Sequence, residues 1–452
     1  MSQQGQGGRV LRSLTSVTPA DAAIRTLGPC RVASPLAADS ASAVQFVDDN
    51  DFLLLHDTTD TLAQLTVPLE QMPCFELAGP RRQLFFDPSK IRAGIVTCGG
   101  LCPGLNDVIR GLTLSLSLLY GVKHIYGFKN GYAGFVPKYG YPVLDLDPEL
   151  VSEIHERGGT MLGSSRGEQD PVEIVDCLER LSINTLFVIG GDGTIRGALA
   201  ISAEIEKRGL KIAVVGVPKT IDNDIQFLDQ SFGFQTAYSA ATSAIRAAHQ
   251  EAKGAHNGVG LVKLMGRHSG FIACFASLAT SDVNFCLIPE VPLVLDGDKG
   301  FLTCLQKRLE RRKHAVIVVA EGAGQELLKA DPTQRDASGN VKLQDIGTFL
   351  RDKITSHFKS IQFECSVKYI DPSYIIRSVP ASPPDSVFCL RLAHAAAHAA
   401  MTGRTGMVVG SWHGRFVHVP MTLAIRERQC VDIEGDVWQS VLESTGQSRV
   451  WC

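Results

Sequence analysis

Two carboxylates two residues apart, Asp222 and Asp224, stand behind a lysine and a threonine in the stretch Pro218-Lys219-Thr220-Ile221-Asp222-Asn223-Asp224. Those residue types suit phosphoryl transfer. One carboxylate can take a proton from an attacking hydroxyl, the other can help hold a magnesium ion, and Lys219 puts a cation near phosphates. The same heptapeptide also reads as a polar loop whose Asp and Asn side chains cap the next helix. The run Ile212-Ala213-Val214-Val215-Gly216-Val217 before it reads as a short buried strand, and an alanine-rich segment with helical spacing follows Gly233. Open α/β sheets place ligand chemistry just past such a strand's carboxyl end.

The chain repeats this arrangement. A strand at Ala93 to Val96 runs into Thr97-Cys98-Gly99-Gly100-Leu101-Cys102-Pro103-Gly104-Leu105-Asn106 and then a helical pattern. Glycines there let backbone N–H groups approach a phosphate at the positive end of a helix dipole. The loop matches neither a GxGxxG nor a Walker pattern, and a tight structural turn is the alternative. The stretch from Gly158 to Gly167 sets Arg166 among glycines, where a guanidinium can face phosphate. Thr185 to Ile189 ends in Gly190-Gly191-Asp192-Gly193-Thr194, which offers close backbone approach, a carboxylate for a metal and a hydroxyl at a helix start. That motif speaks for nucleotide phosphates more firmly than it names a substrate.

Further on, Gly260 to Leu264 leads into Met265-Gly266-Arg267, Ala315 to Ala320 ends in Glu321-Gly322, and Val367-Lys368-Tyr369-Ile370 precedes Tyr374-Ile375-Ile376-Arg377. Strands that repeatedly deliver polar residues, with helices between them, predict a doubly wound α/β architecture in two lobes. The spacing predicts a helix from about Gln235 to Ala252, with Ala237, Ala241, Ala244, Ile245 and Ala248 along a close-packing face. His394 and His398 sit four residues apart in another alanine-rich helix, but no third zinc ligand stands near them in sequence.

Composition narrows the partners. With 44 basic and 47 acidic residues the chain has no strongly basic field, which argues against nucleic acid or an anionic membrane as the main partner. The twelve cysteines form no CxxC pairs, as expected of free thiols in a reducing compartment. The longest apolar candidate for a membrane span, Leu112 to Val122, is broken by serines. A cytoplasmic location is expected. Arg9, Arg12 and Arg25 faintly resemble an organellar transit peptide but lack an amphipathic face. The Gly-, Gln- and Ser-rich start to about residue 20 is expected to be disordered.

Together these loops resemble the 6-phosphofructokinase family, especially its plant and trypanosomatid ATP-using branch. The likeness runs from about Gly94 to Pro420 with the motifs in the same order. It implies transfer of the γ-phosphoryl of MgATP to the 1-hydroxyl of fructose 6-phosphate, as in glycolysis. It also implies a phosphofructokinase fold of two Rossmann-like lobes with mainly parallel sheets, a homotetramer and allosteric control. The expected organisation is an N-terminal extension at 1–90 and a nucleotide-binding lobe from 91–234 and about 376–425. A sugar-phosphate lobe at 235–375 and a C-terminal segment from about 426–452 complete it. By the same resemblance Asp222 is the general base, flanked by Thr220 near the reacting oxygens and Asp224 near the metal. Gly100, Arg166, Asp192, Gly193, Thr194 and Lys219 match positions around the nucleotide phosphates and magnesium, with Asp192 and Asp224 as the metal residues. Thr220, Asp222, Met265, Gly266, Arg267, Glu321, Lys368, Tyr374 and Arg377 match positions that meet the sugar phosphate, Arg267 being counted with the catalytic group.

Two departures bear on the reaction. Bacterial ATP-using relatives carry glycine where this chain has Lys219, whereas pyrophosphate-using relatives carry lysine there and aspartate in place of Gly193. Gly193 is weighed more heavily, because an aspartate would put negative charge where the α-phosphate of ATP must lie, while a long lysine can turn aside. ATP is the expected donor and pyrophosphate the alternative; a catalytically silent regulatory subunit is a further one. The arginine that bacterial relatives lend across a subunit interface is Gly258 here, with Lys263 nearby.

Overall fold

The computed structural model describes residues 17–37, 44–59, 62, 68, 71–328, 333–335, 341–449 and 451. Arg9, Arg12 and most of the start expected to be disordered lie outside the described residues. The last part of that start is ordered: Pro19–Ala22 is a short helical turn held by a capping box between Thr18 and Asp21.

Two sheets carry the architecture. In chain order their strands are β1 (Phe52–Leu54), β2 (Cys74–Leu77), β3 (Arg92–Thr97), β4 (His124–Phe128), β5 (Val143–Asp145), β6 (Thr185–Gly190) and β7 (Ala213–Pro218). They continue with β8 (Gly258–Leu264), β9 (Phe285–Leu287), β10 (His314–Ala320), β11 (Ser366–Ile370), β12 (Met407–Trp412) and β13 (Arg415–Pro420). The larger sheet has the order β1-β2-β13-β12-β7-β6-β3-β4-β5, and the smaller has the order β9-β10-β8-β11. In the larger sheet β12, β7, β6, β3 and β4 are mutually parallel, with antiparallel strands only at its two rims. The smaller sheet is parallel throughout.

Burial explains these strands. Every residue of β6 and β7 is buried, so their continuous apolar runs suit strands covered by helices on both faces. The helix Asp192–Lys207 fills the crossover between β6 and β7, while Phe234–Gly254 and Pro383–Met401 lie where the chain passes from the larger sheet to the smaller and back. In Phe234–Gly254 the side chains of Ala237, Ala241, Ile245 and Ala248 are fully buried, whereas Ala244 is only partly so. Small side chains bring that helix close to β8: a Cβ added at Gly260 would stand 2.5 Å from the carbonyl oxygen of Ala248. At Gly258 it would meet the Ala252 carbonyl at 2.2 Å, so helix packing excludes an arginine from that position without a backbone shift.

The N-terminal strands are joined to the body through a buried ionic knot. Arg404 Nε donates to both oxygens of Glu76, at 2.9 and 2.8 Å, and His418 Nδ1 lies 2.9 Å from Glu76 Oε2. Burial alone would raise the Glu76 pKa, but the bonds from Arg404 and His418 outweigh it and hold the carboxylate well below its usual range. His398 hydrogen-bonds Tyr120 Oη through Nδ1 at 2.7 Å, and burial depresses its pKa to about 3. All cysteines among the described residues are free thiols. No helix among them is long and apolar enough to cross a membrane.

Candidate active site

Six parallel strands end at one cavity of about 1000 Å³. From the larger sheet, the turns after β3, β6 and β7 bring Gly99 and Gly100, Asp192 to Thr194, and Lys219 to Asp224. From the smaller sheet, the turns after β8, β10 and β11 bring Met265 and Arg267, Glu321, and Asp371 to Arg377. A parallel strand leads its chain to the same end as its neighbours, which is why residues so far apart in sequence converge.

The phosphate-type loops are locked to one another. Thr97 Oγ1 donates to the Gly163 carbonyl at 2.7 Å, Gly99 N–H to the Ser165 carbonyl at 3.1 Å, and Ser164 Oγ to the Gly99 carbonyl at 2.6 Å. Gly99 takes a φ of +86°, which a residue with a Cβ rarely adopts. These bonds hold Arg166 over the glycine turn. A Cβ added at Gly100 would lie 3.4 Å from Arg166 Nη2 and 3.8 Å from Arg377 Nη1, so two guanidinium groups reach this backbone from opposite sheets. Lys219 joins the same turn by donating from Nζ to the Gly100 carbonyl at 2.8 Å. Burial pulls the Lys219 pKa down, and the Cys102 and Cys98 thiols oppose that pull. Gly193 lies in the first turn of the helix Asp192–Lys207, and a Cβ added there meets nothing within 4 Å. The start of that helix therefore borders open cavity.

The loop after β7 arranges its two carboxylates through Thr220. The Thr220 hydroxyl donates to Asp224 Oδ1 at 2.9 Å and accepts from the Asp222 N–H at 3.1 Å. Asn223, between the two aspartates, has a φ of +55°, a conformation asparagine tolerates, and its Oδ1 accepts from the Ser231 N–H at 2.7 Å. Asp222 Oδ1 is buried and has no hydrogen-bond partner. Burial first, then the Asp224 and Glu321 carboxylates, push the Asp222 pKa up to about 8. A carboxyl so shifted is one that could accept a proton near neutral pH. From the smaller sheet Ser269 Oγ donates to the Asp222 carbonyl at 2.8 Å and fixes the loop to the opposite wall.

On the smaller sheet's side, burial raises the Glu321 pKa against the opposing Arg267 and Lys263 charges. Gly266 turns the chain between Met265 and Arg267 with a φ of +124°, and its carbonyl accepts from the Gly322 N–H at 3.0 Å. The Arg267 guanidinium reaches the Val341 carbonyl. Arg377 stacks on the exposed Tyr374 ring, 4.8 Å from its centroid, and its Nε is buried without a partner.

Comparison with known proteins places this arrangement. A family model described as Phosphofructokinase matches residues 92–400, the stretch that contains all six of these turns. The chain belongs to the phosphofructokinase family. The ATP-dependent 6-phosphofructokinase of Amycolatopsis methanolica is 52% identical over 436 residues, covering 94% of this chain and 95% of that protein. ATP-dependent 6-phosphofructokinase 7 of Arabidopsis thaliana is 49% identical over 375 residues, covering 82% of this chain and 77% of that one. Among solved structures, the pyrophosphate-dependent phosphofructokinase of Marinobacter aquaeolei superposes with a TM-score of 0.64 at 18% identity, covering 80% of this chain and 93% of that one. That likeness is one of fold.

Of the residues that the resemblance to phosphofructokinases implies, all line the cavity except Gly266 and Lys368. Gly266 is buried directly behind the wall. Lys368 is exposed on β11, the edge strand of the smaller sheet, and stands apart from the cavity. Lys263 of the neighbouring central strand lines it instead, paired with Asp371 at 2.8 Å. Sequence reading missed Asp371, and also Arg428, whose Nη1 donates to Asp224 Oδ2 at 2.5 Å and whose Nη2 lies 3.4 Å from Asp192 Oδ2. Arg428 follows no strand end and no glycine turn, so no local signal marks it.

Proposed function

We propose that the protein is an ATP-dependent 6-phosphofructokinase that transfers the γ-phosphoryl of ATP to the 1-hydroxyl of fructose 6-phosphate, giving fructose 1,6-bisphosphate and ADP. The observation that carries the choice of donor is the pairing of open space at Gly193 with a Lys219 ammonium tied to the Gly100 carbonyl. The lysine is turned onto the protein, and the room beside the helix N-terminus stays free for a nucleotide's α-phosphate. The same Gly193 and Lys219 pair supports a reading in which the chain belongs to the plant and trypanosomatid ATP-using branch.

Asp222, with its raised pKa and an unpartnered oxygen, accepts the proton of the attacking hydroxyl. Thr220 sets the loop's geometry and stands near the reacting oxygens. Arg166 and the helix N–H groups at Gly193 and Thr194 meet charge that develops on the transferred phosphoryl. On the acceptor side Glu321 accepts sugar hydroxyls and Met265 packs on the ring. Arg267, Tyr374 and Arg377 hold the sugar phosphate, with Lys263 in the place expected of Lys368.

Asp192 and Asp224 fit a magnesium ion brought in with ATP. No group of three His, Cys, Asp or Glu among the described residues could hold a metal by itself, and magnesium with a nucleotide needs only one or two carboxylates beside phosphate oxygens and water. One guanidinium already reaches both carboxylates, so a single cation can serve them together. Held by Asp192 and Asp224, the ion would neutralise charge on the phosphates during transfer. The reading extends to a homotetramer in the cytoplasm.

The test is formation of fructose 1,6-bisphosphate by the purified protein, assayed in parallel with MgATP and with magnesium pyrophosphate. Turnover with ATP alone is expected. Turnover with pyrophosphate alone makes Lys219 the deciding residue and reverses the donor, and turnover with neither makes this a silent subunit.

A further inference from the structure

Arg428 comes from the C-terminal side of the fold, between the helical turn Met421–Ala424 and the helix Asp436–Thr445. Its backbone is pinned to the catalytic loop. Arg428 and Ile225 form an antiparallel bridge, and the Gln429 N–H donates to the Asp224 carbonyl at 3.0 Å. Two residues on, the Val431 N–H donates to Glu290 Oε1 at 2.8 Å, an oxygen that also accepts from the Gly270 N–H at 2.9 Å. The segment is a fixed strap.

Its guanidinium lies on the edges of Asp224 and Asp192 that the proposed function gives to a metal. Asp224 Oδ2 accepts from Arg428 while Oδ1 accepts from Thr220. Asp192 Oδ2 takes Arg428 at 3.4 Å, and Arg196 lies 3.2 Å from Oδ1. Both carboxylates are therefore already engaged on both oxygens, with Arg428 on one edge of each. A divalent ion on those edges would stand against the guanidinium's positive charge, so the two compete for the carboxylates. Arg428 also lines the cavity and keeps a third of its side chain exposed, which gives it room to turn toward a nucleotide. Guanidinium groups pair with phosphate as readily as with carboxylate.

We propose that Arg428 is a positioning residue that occupies the metal edge of Asp192 and Asp224 in the ligand-free protein and is exchanged for the cation when a metal–nucleotide complex enters, carrying its own charge onto the phosphates. The strap then acts on the metal in two opposite ways. It competes with a bare ion for the carboxylates, and it assists an ion that arrives with phosphates. The proposal rests on the kinase reading above.

The test compares wild type with Arg428→Met and Arg428→Lys, using electron paramagnetic resonance to measure free Mn²⁺ binding and calorimetry to measure binding of Mn²⁺ with a non-hydrolysable ATP analogue. Losing a charge-assisted bond worth about 1.5 kcal/mol should make Arg428→Met bind free Mn²⁺ about tenfold tighter. The same variant should bind the metal–nucleotide complex more weakly. A merely structural role shifts both affinities in one direction. Lysine keeps the charge but cannot span both carboxylates, so Arg428→Lys should also bind free Mn²⁺ more tightly than wild type. Unchanged or weaker Mn²⁺ binding in Arg428→Met, a common shift in both affinities, or wild-type behaviour in Arg428→Lys overturns the exchange. Failure of the wild type to bind the metal–nucleotide complex sinks the kinase reading, while the free Mn²⁺ comparison still decides the role of Arg428.

Discussion

The ammonium of Lys219 donates to the carbonyl of Gly100, 2.8 Å away, so a side chain from the loop after β7 is anchored on the loop after β3. The bond leaves the space above Gly193 clear, and the first prediction concerns that space. A Cβ at Gly193 meets no atom, so Gly193→Asp should fold normally while placing a carboxylate where the proposed function puts ATP's phosphates. Unpaired like charges cost several kcal/mol, so kcat/KM for ATP should fall roughly a hundredfold or more. An unchanged melting temperature and a collapsed ATP rate are expected. Near-normal ATP turnover would show that the nucleotide lies elsewhere.

Asp222→Asn removes the proposed proton acceptor and leaves the loop's backbone bonds in place. Turnover should drop roughly 10³-fold with little change in KM for fructose 6-phosphate, the pattern of a group that acts in the transition state. Isotope-labelled sugar phosphate in a single-turnover assay separates the two. Near-normal kcat with a raised KM would make Asp222 a binding residue.

The pH profile belongs to the same carboxyl. With its pKa raised to about 8, Asp222 is increasingly protonated below that pH, so kcat/KM should rise with pH along a limb centred near 8. In Asp222→Asn the limb should vanish from the residual rate. A wild-type limb near pH 4 would mean that this carboxyl ionises in the free enzyme as it does in water.

Stability follows the opposite sign. The folded Asp222 holds its proton up to about pH 8, whereas its ordinary value is 3.8. Ionising it therefore costs the fold progressively more as pH rises between those values. Ligand-free Asp222→Asn should melt about 2–4 °C above wild type at pH 8, and the gap should close toward pH 4. Scanning calorimetry at the two pH values checks this.

Glu76 contributes in the other direction. Glu76→Gln leaves the buried guanidinium of Arg404 without its full partner, and removing one member of a buried pair costs about 3–5 kcal/mol. The folded Glu76 carboxylate titrates below its ordinary 4.5, so its contribution is present above about pH 4.5 and is lost as pH falls through the folded value. Denaturation at pH 7 should therefore move to lower urea in Glu76→Gln. At acid pH the two proteins should converge.

Most of the cavity was legible because each wall is a glycine-rich or polar turn directly after a buried strand, and both signals are local. The strand at Ile212 to Val217 and the carboxylates behind it could be read together for that reason. Lys368 and Lys263 show where local reading stops. Both are cations on strands of the smaller sheet, and only the pairing of the central β8 with the edge strand β11 settles that Lys263 faces the cavity and Lys368 solvent. Gly258 looked like a lost interface arginine, and the close approach of the Ala252 carbonyl gives that glycine a packing reason invisible in the sequence. Arg428 lies 204 residues from the aspartate it holds, and only the finished fold joins them.

That separation has a consequence for synthesis. A ribosome makes every strand of both sheets before it reaches Arg428 and Gln429, so a nascent chain can assemble the walls of the cavity while the loop bearing Asp224 still lacks its clasp. Chains that stop short of the strap lack the clasp altogether, so the loop bearing Asp224 depends on a segment made after every strand of both sheets.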